Sequence, residues 1–185
     1  MKIEIISGSP RENSTTTRIA IHLKNIIQER TDHVVDIIDV RETELPLLQS
    51  VFTSVESTPD PYKEITDKML NADAFILLTP EYNGSYPAAL KNLLDHFPKQ
   101  HHKVFAIATA STGMLGGIRA AMQLQELIYA LFGIGSPYML VTPQVDKKFD
   151  EEGNLLDPNF KKSVDVFINE FVWLAEKIVS EKVSA

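Results

Sequence analysis

The chain of 185 residues has no cysteine, which excludes disulfides, thiolate metal sites, cysteine nucleophiles and thiol redox chemistry within it. Any electron chemistry must then use a cofactor. It also lacks a run of about 18 apolar residues, the length a membrane-spanning helix needs. Met1 is followed by Lys2-Ile3-Glu4-Ile5-Ile6, too short and too charged for the apolar part of a signal peptide. A cytoplasmic protein with no membrane association is expected. Cations are in deficit: 18 Lys and Arg face 25 Asp and Glu, for a net charge of -7. A phosphodiester backbone needs a clustered cationic surface, so no nucleic-acid partner is expected. The acidic balance serves mainly solubility.

What is present is an ordinary globular composition, 44% apolar and 23% charged, at a length that fits one domain over residues 1–185. Residues 2–7 alternate and then run apolar before Gly8, the pattern of a strand buried on both faces. From Ser14 onward, Ile19, Ala20, Leu23, Ile26 and Ile27 recur at helical spacing. Further strands are predicted at 34–40, 74–79, 104–110 and 136–142, with helices at 61–70, 86–97, 116–132 and 158–181. This alternation at the spacing of βαβ units predicts a flavodoxin-like three-layer α/β sandwich: a five-stranded parallel sheet in the order 2-1-3-4-5 with helices on both faces. Asp60-Pro61 and Asp157-Pro158 each place a capping side chain before a proline suited to a first helical position. In the last helix Phe160, Val164, Phe167, Ile168, Phe171, Leu174, Ala175 and Ile178 form one stripe broad enough to cover a sheet face. Two long connections, 41–60 and 143–157, read as lids, interface arms or disordered loops.

In an open parallel sheet, ligands bind beyond the carboxyl ends of the strands where the strand order reverses, here between strands one and three. Three loops converge there. The first, Ser7-Gly8-Ser9-Pro10-Arg11-Glu12-Asn13-Ser14-Thr15-Thr16, combines hydroxyls, one guanidinium and a helix N-terminus, a set that suits a phosphate. The glycine-rich dinucleotide fingerprint and the Walker Gly-Lys-Ser/Thr ending are both absent. Short donors around a terminal phosphate monoester favour FMN, and an ordinary Ser/Thr helix cap is the alternative. The second loop, Thr79-Pro80-Glu81-Tyr82-Asn83-Gly84-Ser85-Tyr86-Pro87, can offer backbone groups and an aromatic wall to a flat heteroaromatic ring, or be a plain turn before a capped helix. The third, Ala110-Ser111-Thr112-Gly113-Met114-Leu115-Gly116-Gly117, has glycines that let backbone approach a ligand.

Gly8-Ser9-Pro10-Arg11, then Pro80-Glu81-Tyr82-Asn83-Gly84-Ser85 continuing through Leu90-Lys91-Asn92 and Asp95, then Gly116-Gly117-Ile118-Arg119-Ala120, resemble the NAD(P)H-dependent FMN reductase family. The P-E-Y-N segment joined to L-K-N-x-x-D is the most specific element. The resemblance implies FMN as bound cofactor, NAD(P)H as co-substrate, and a small-molecule electron acceptor such as a flavin, quinone or azo compound. It also implies a homodimer or homotetramer with FMN near a subunit boundary. Carried onto this chain, it implies that Ser9, Arg11, Ser14, Thr15 and Thr16 hold the FMN phosphate. Pro80, Glu81, Tyr82 and Asn83 would line the isoalloxazine, and Ser111, Thr112 and Gly113 would close the third side. Arg119 would contact NAD(P)H phosphate or pair across an interface.

The expected reaction is hydride transfer from the nicotinamide to FMN and onward to an acceptor, which needs no protein acid, base or nucleophile. The rival reading from another class is a flavodoxin-like electron carrier reduced by a protein partner. A receiver-type signalling module would need an aspartate ending strand three and an acidic pair after strand one, where Thr79 and Ser7 stand. A low-molecular-weight phosphatase fails for want of a cysteine, and a serine hydrolase for want of a G-x-S-x-G frame. His101-His102 is no metal pair, since adjacent side chains point apart. The charged run 147–152 and Trp173 read as structural.

Overall fold

Strand β1 (Lys2–Ser7) is buried at every position after Lys2, and β3 (Ala74–Thr79) and β4 (Val104–Ala110) are buried throughout. Such runs belong to the centre of a parallel sheet covered on both faces. The computed structural model describes residues 1–183; Ser184 and Ala185, included in the expected 1–185 domain, lie outside the described residues. With β2 (Val34–Asp39) the sheet runs β2-β1-β3-β4 and is completed beyond β4, all pairs parallel. The expected order 2-1-3-4-5 is therefore the observed one. In register, Ser7 lies opposite Asp39 and Leu78, and Thr79 opposite Thr109, so the loops leaving these strands emerge side by side.

The fifth strand departs from the expected 136–142. It is laid down in two pieces, β5 (Ile134–Gly135) and β6 (Leu140–Thr142), each parallel to β4. Ser136 N still donates to Phe105 O (2.7 Å), but Pro137 has no N–H with which to continue the ladder.

Alternate strand residues feed two cores. Ile3, Ile5, Ile76 and Leu78 face α1 (Thr16–Arg30) and α5 (Lys161–Val183), whose Phe167, Ile168 and Phe171 are buried. Ile6, Phe75, Leu77 and Phe105 face α2 (Lys63–Asn71), α3 (Ala88–Asp95) and α4 (Ile118–Ala130). The predicted stripe of the last helix is thus a packing surface, while Trp173 stays 56% exposed on its outer side. The helix ends sharpen the expected ones. Asp157 accepts from Asn159 N (3.0 Å) as the predicted cap. Asp60 does not cap α2: it sits inside a 3₁₀ turn and pairs with Lys63 (2.7 Å). No helix among the described residues is long and apolar enough to cross a membrane.

Both long connections are tied to the body. In the first, Phe52 N donates to His96 O (2.7 Å), and the Phe52 ring stacks on Tyr62. Asn92 Nδ2 donates to Leu45 O (3.2 Å) and Pro46 O (2.9 Å), which gives the L-K-N-x-x-D asparagine a loop-holding role. In the second, Val145 and Phe149 are fully buried, so the run 147–152 is not merely a charged surface. Arg18 Nη1 donates to Phe149 O (3.1 Å), and His22 Nδ1 donates to Gly153 O (2.9 Å). Burial holds His22 below the usual imidazole range, and its ring packs against Phe149.

Glu4 is an unusual occupant of a central strand. It is 6% exposed and its Oε2 has no partner among the described residues. Burial first, then the nearby Asp36, pushes its pKa up to about 7, against the pull of Lys68, Lys2 and Lys24. The folded protein therefore binds this proton more tightly than the unfolded chain does. Stability linked to Glu4 is full below the unfolded value of 4.5 and is lost as pH rises toward about 7. Glu4→Gln is expected to stabilise the protein by about 1–2 kcal/mol at about pH 8, the shift being discounted for screening by the lysines, and to change little at about pH 4. Urea unfolding at both pH values measures this; an equal difference at each would assign the effect to something other than ionisation.

Candidate active site

Three strand-to-helix loops enclose a cleft of about 280 Å³ at the carboxyl ends of β1, β3 and β4. Its walls are Ser9, Arg11, Asn13, Ser14 and Thr15 from the first loop, Pro80, Glu81 and Tyr82 from the second, and Ala110, Ser111 and Thr112 from the third.

The first loop leaves β1 through Gly8, whose N–H donates to Leu78 O (2.8 Å). A Cβ at Gly8 would sit 2.9 Å from Leu90 Cδ2 and 3.2 Å from Leu78 O, so glycine lets the loop lie down on α3. Thr15 gives α1 no side-chain cap; Ser14 Oγ accepts from Thr16 N (3.3 Å), and an α-helix leaves its other first-turn N–H groups without partners inside the helix. Thr16 takes a different part from the expected one. It is fully buried, bonded to Ser7 Oγ (3.0 Å) and Ser14 Oγ (2.6 Å), and does not line the cleft. Its hydroxyl pins Ser14 from below. Asn13, absent from the expected set, lines the wall instead.

The second loop is a two-residue hairpin. Tyr82 N donates to Ser85 O (2.8 Å) and Ser85 N to Tyr82 O (3.1 Å), with Asn83 at φ 51° and Gly84 at φ 83°. Two left-handed residues in succession are what an Asn-Gly pair supplies at this turn. Asn83 is therefore an exposed turn former outside the cleft wall. Tyr82 turns inward: the Arg11 guanidinium carbon lies 4.7 Å from its ring centroid, and its hydroxyl is buried without a partner among the described residues. Glu81 lines the cleft and also braces it, one carboxylate oxygen accepting from Arg119 N (3.1 Å) at the start of α4. The Arg119 side chain approaches the same carboxylate at 4.0 Å and remains 68% exposed.

The third loop is fastened at both ends. Thr109 Oγ1 donates to Gly116 O (2.6 Å), Ser111 N to Thr142 O (3.1 Å) and Val145 N to Ser111 O (3.0 Å). Ser111 and Thr112 reach the cleft. Gly113 is exposed outside the wall, its N–H donating to Ser111 Oγ (3.0 Å) and its carbonyl accepting from Gln144 N (3.3 Å).

Among the described residues the cleft thus gathers short hydroxyls and one guanidinium, that of Arg11 over the Tyr82 ring, together with Pro80 and Glu81. A model of the NADPH-dependent FMN reductase family matches residues 1–143. The chain belongs to that family. It is an FMN-dependent oxidoreductase that takes electrons from NAD(P)H and passes them to a small acceptor. The FMN-dependent NADPH-azoreductase of Staphylococcus aureus is 32% identical over 179 residues, covering 93% of this chain and 94% of that relative. Among solved structures, a flavoenzyme NAD(P)H:(acceptor) oxidoreductase from Paracoccus denitrificans superposes on this reductase with a TM-score of 0.79 at 21% identity, over 95% and 97% of the two chains. An oxidoreductase from Corynebacterium diphtheriae does so with a TM-score of 0.71 at 19% identity, over 97% of each. At these identities the two structures speak to the fold.

Proposed function

We propose that residues 1–185 form one FMN-binding domain whose cleft holds both the phosphate and the ring of a single FMN. The observation that carries this is that Arg11, Ser9, Ser14 and Thr15, the last at the start of α1, line one cleft. Backbone N–H groups, short hydroxyls and one guanidinium suit a phosphate monoester. Pro80, Glu81, Tyr82, Ser111 and Thr112 would border the isoalloxazine. The buried, unpartnered Tyr82 hydroxyl gives this wall a polar atom with capacity for a ligand. When bound, FMN supplies hydride acceptance from NAD(P)H and electron delivery to the acceptor. The chain's own residues orient it, and Glu81 keeps the second loop and α4 at a set distance.

The acceptor is a quinone, flavin, azo compound or similar small molecule, and the enzyme works as a cytoplasmic homodimer or homotetramer. Purified protein should be yellow, or should quench the fluorescence of added FMN, and should oxidise NADPH or NADH when a quinone is supplied. Absence of FMN binding across salt and pH ends this reading.

A further inference from the structure

The β1–α1 loop is held from outside by a residue of the next βα connection. Among the described residues, the backbone of residues 10–13 is held by a long bond from Arg11 N to Ser9 Oγ (3.5 Å) and by one from Arg41 Nη1 to Glu12 O (2.7 Å). The same guanidinium donates through Nη2 to Thr17 Oγ1 (2.9 Å), in the first turn of α1. Its remaining donors grip Asp39, Nε to Oδ1 at 2.9 Å and Nη2 to Oδ2 at 2.5 Å. Asp39 closes β2, is 4% exposed, and accepts Arg41 N as well (3.0 Å). One planar fork therefore ties a fixed, buried strand end to both sides of the candidate phosphate loop.

From this geometry we infer that Arg41, anchored by Asp39, is a positioning residue for FMN binding: it sets the shape of residues 10–16 without touching the phosphate. The inference rests on the placement of FMN proposed above. The charge of Arg41 is already spent on Asp39, and neither residue lines the cleft. Its effect on affinity must pass through loop position. A lysine would keep the charge but present its donors from a single nitrogen, unable to span Asp39, Glu12 and Thr17 together.

The test is titration of flavin-free protein with FMN and with riboflavin, which lacks the phosphate. Wild type should prefer FMN strongly. Arg41→Ala and Asp39→Asn should each weaken FMN binding about tenfold, the scale of one charge-assisted hydrogen bond, and change riboflavin binding by less than about twofold. Arg41→Lys should fall between, and serves in place of Arg41→Ala if the alanine variant does not fold. Asp39→Asn separates the two ways Arg41 might act: if Arg41 bound the phosphate directly, freeing it would preserve or tighten FMN binding, and that result overturns the inference. Equal losses for both flavins, or none for either, overturn it too. A wild type that does not distinguish FMN from riboflavin removes the phosphate reading itself, and this inference with it.

Discussion

Replacing Arg11 with alanine should weaken FMN binding by about 1.5–3 kcal/mol, the cost of one charge-assisted hydrogen bond to a phosphate. Among the described residues Arg11 is the only cation in the cleft wall, and its guanidinium lies over the Tyr82 ring at 4.7 Å. A guanidinium held over a ring face can still offer the N–H groups of its fork to a ligand. The residue is exposed, and among the described residues its side chain makes no ion pair with another residue. Folding stability should therefore change by less than about 0.5 kcal/mol, as for a surface position. Fluorescence titration gives the affinity and urea unfolding the stability. Unchanged FMN affinity would remove Arg11 from the phosphate site. Equal loss for riboflavin would move its role to the ring. Arg11→Lys should recover part of the loss by restoring charge without the stacked plane.

Gly116→Ala should cost about 2–4 kcal/mol of folding stability, the sum of a left-handed backbone forced on an L side chain and overpacking. Gly116 sits at φ +64°, and a Cβ there would lie 2.6 Å from Val141 Cγ1 and 2.9 Å from Pro143 N. The first neighbour is a side-chain methyl, but the second is backbone and cannot swing away. Moving Gly116 would also break the bond from Thr109 Oγ1 to its carbonyl, on which the third loop hangs. Adding Val141→Ala should recover only part of the loss, because it relieves one clash and leaves the strain and the other. Urea midpoints with an unchanged slope measure both variants. A cost below about 0.5 kcal/mol would mean that the loop shifts freely, contrary to its fastening.

Much of the architecture is legible along the chain because a doubly covered parallel sheet has a strong local signature. The apolar runs at β1, β3 and β4, each ending in a polar turn, announce both the strands and the loops that matter. Asp157-Pro158 also announced a cap. What was not legible depends on partners far away in sequence. Thr16 resembles its neighbours Thr15 and Thr17 in composition, and only the helix phase and the proximity of Ser7 turn it inward. Phe149 is hidden in a charged run because His22 of α1 and Phe160, just before α5, pack on its ring. Asp60 fails as a cap because a 3₁₀ turn begins one residue too early.

By itself, then, the sequence determined the order of strands and helices and the three loops, since these depend on local periodicity and turn chemistry, while its resemblance to a family pointed to the cofactor. The absence of cysteine did as much, by leaving electron transfer to a cofactor. Which hydroxyls face the cleft, where the fifth strand breaks from its ladder, and which residues hold the loops in place were decided by tertiary structure. Such choices are made by contacts between elements distant along the chain: Asp39 and Arg41 against residues 12 and 17, Glu81 against the start of α4, Thr109 against Gly116. Only a folded sheet, with its strand ends in register, brings those groups within hydrogen-bonding distance.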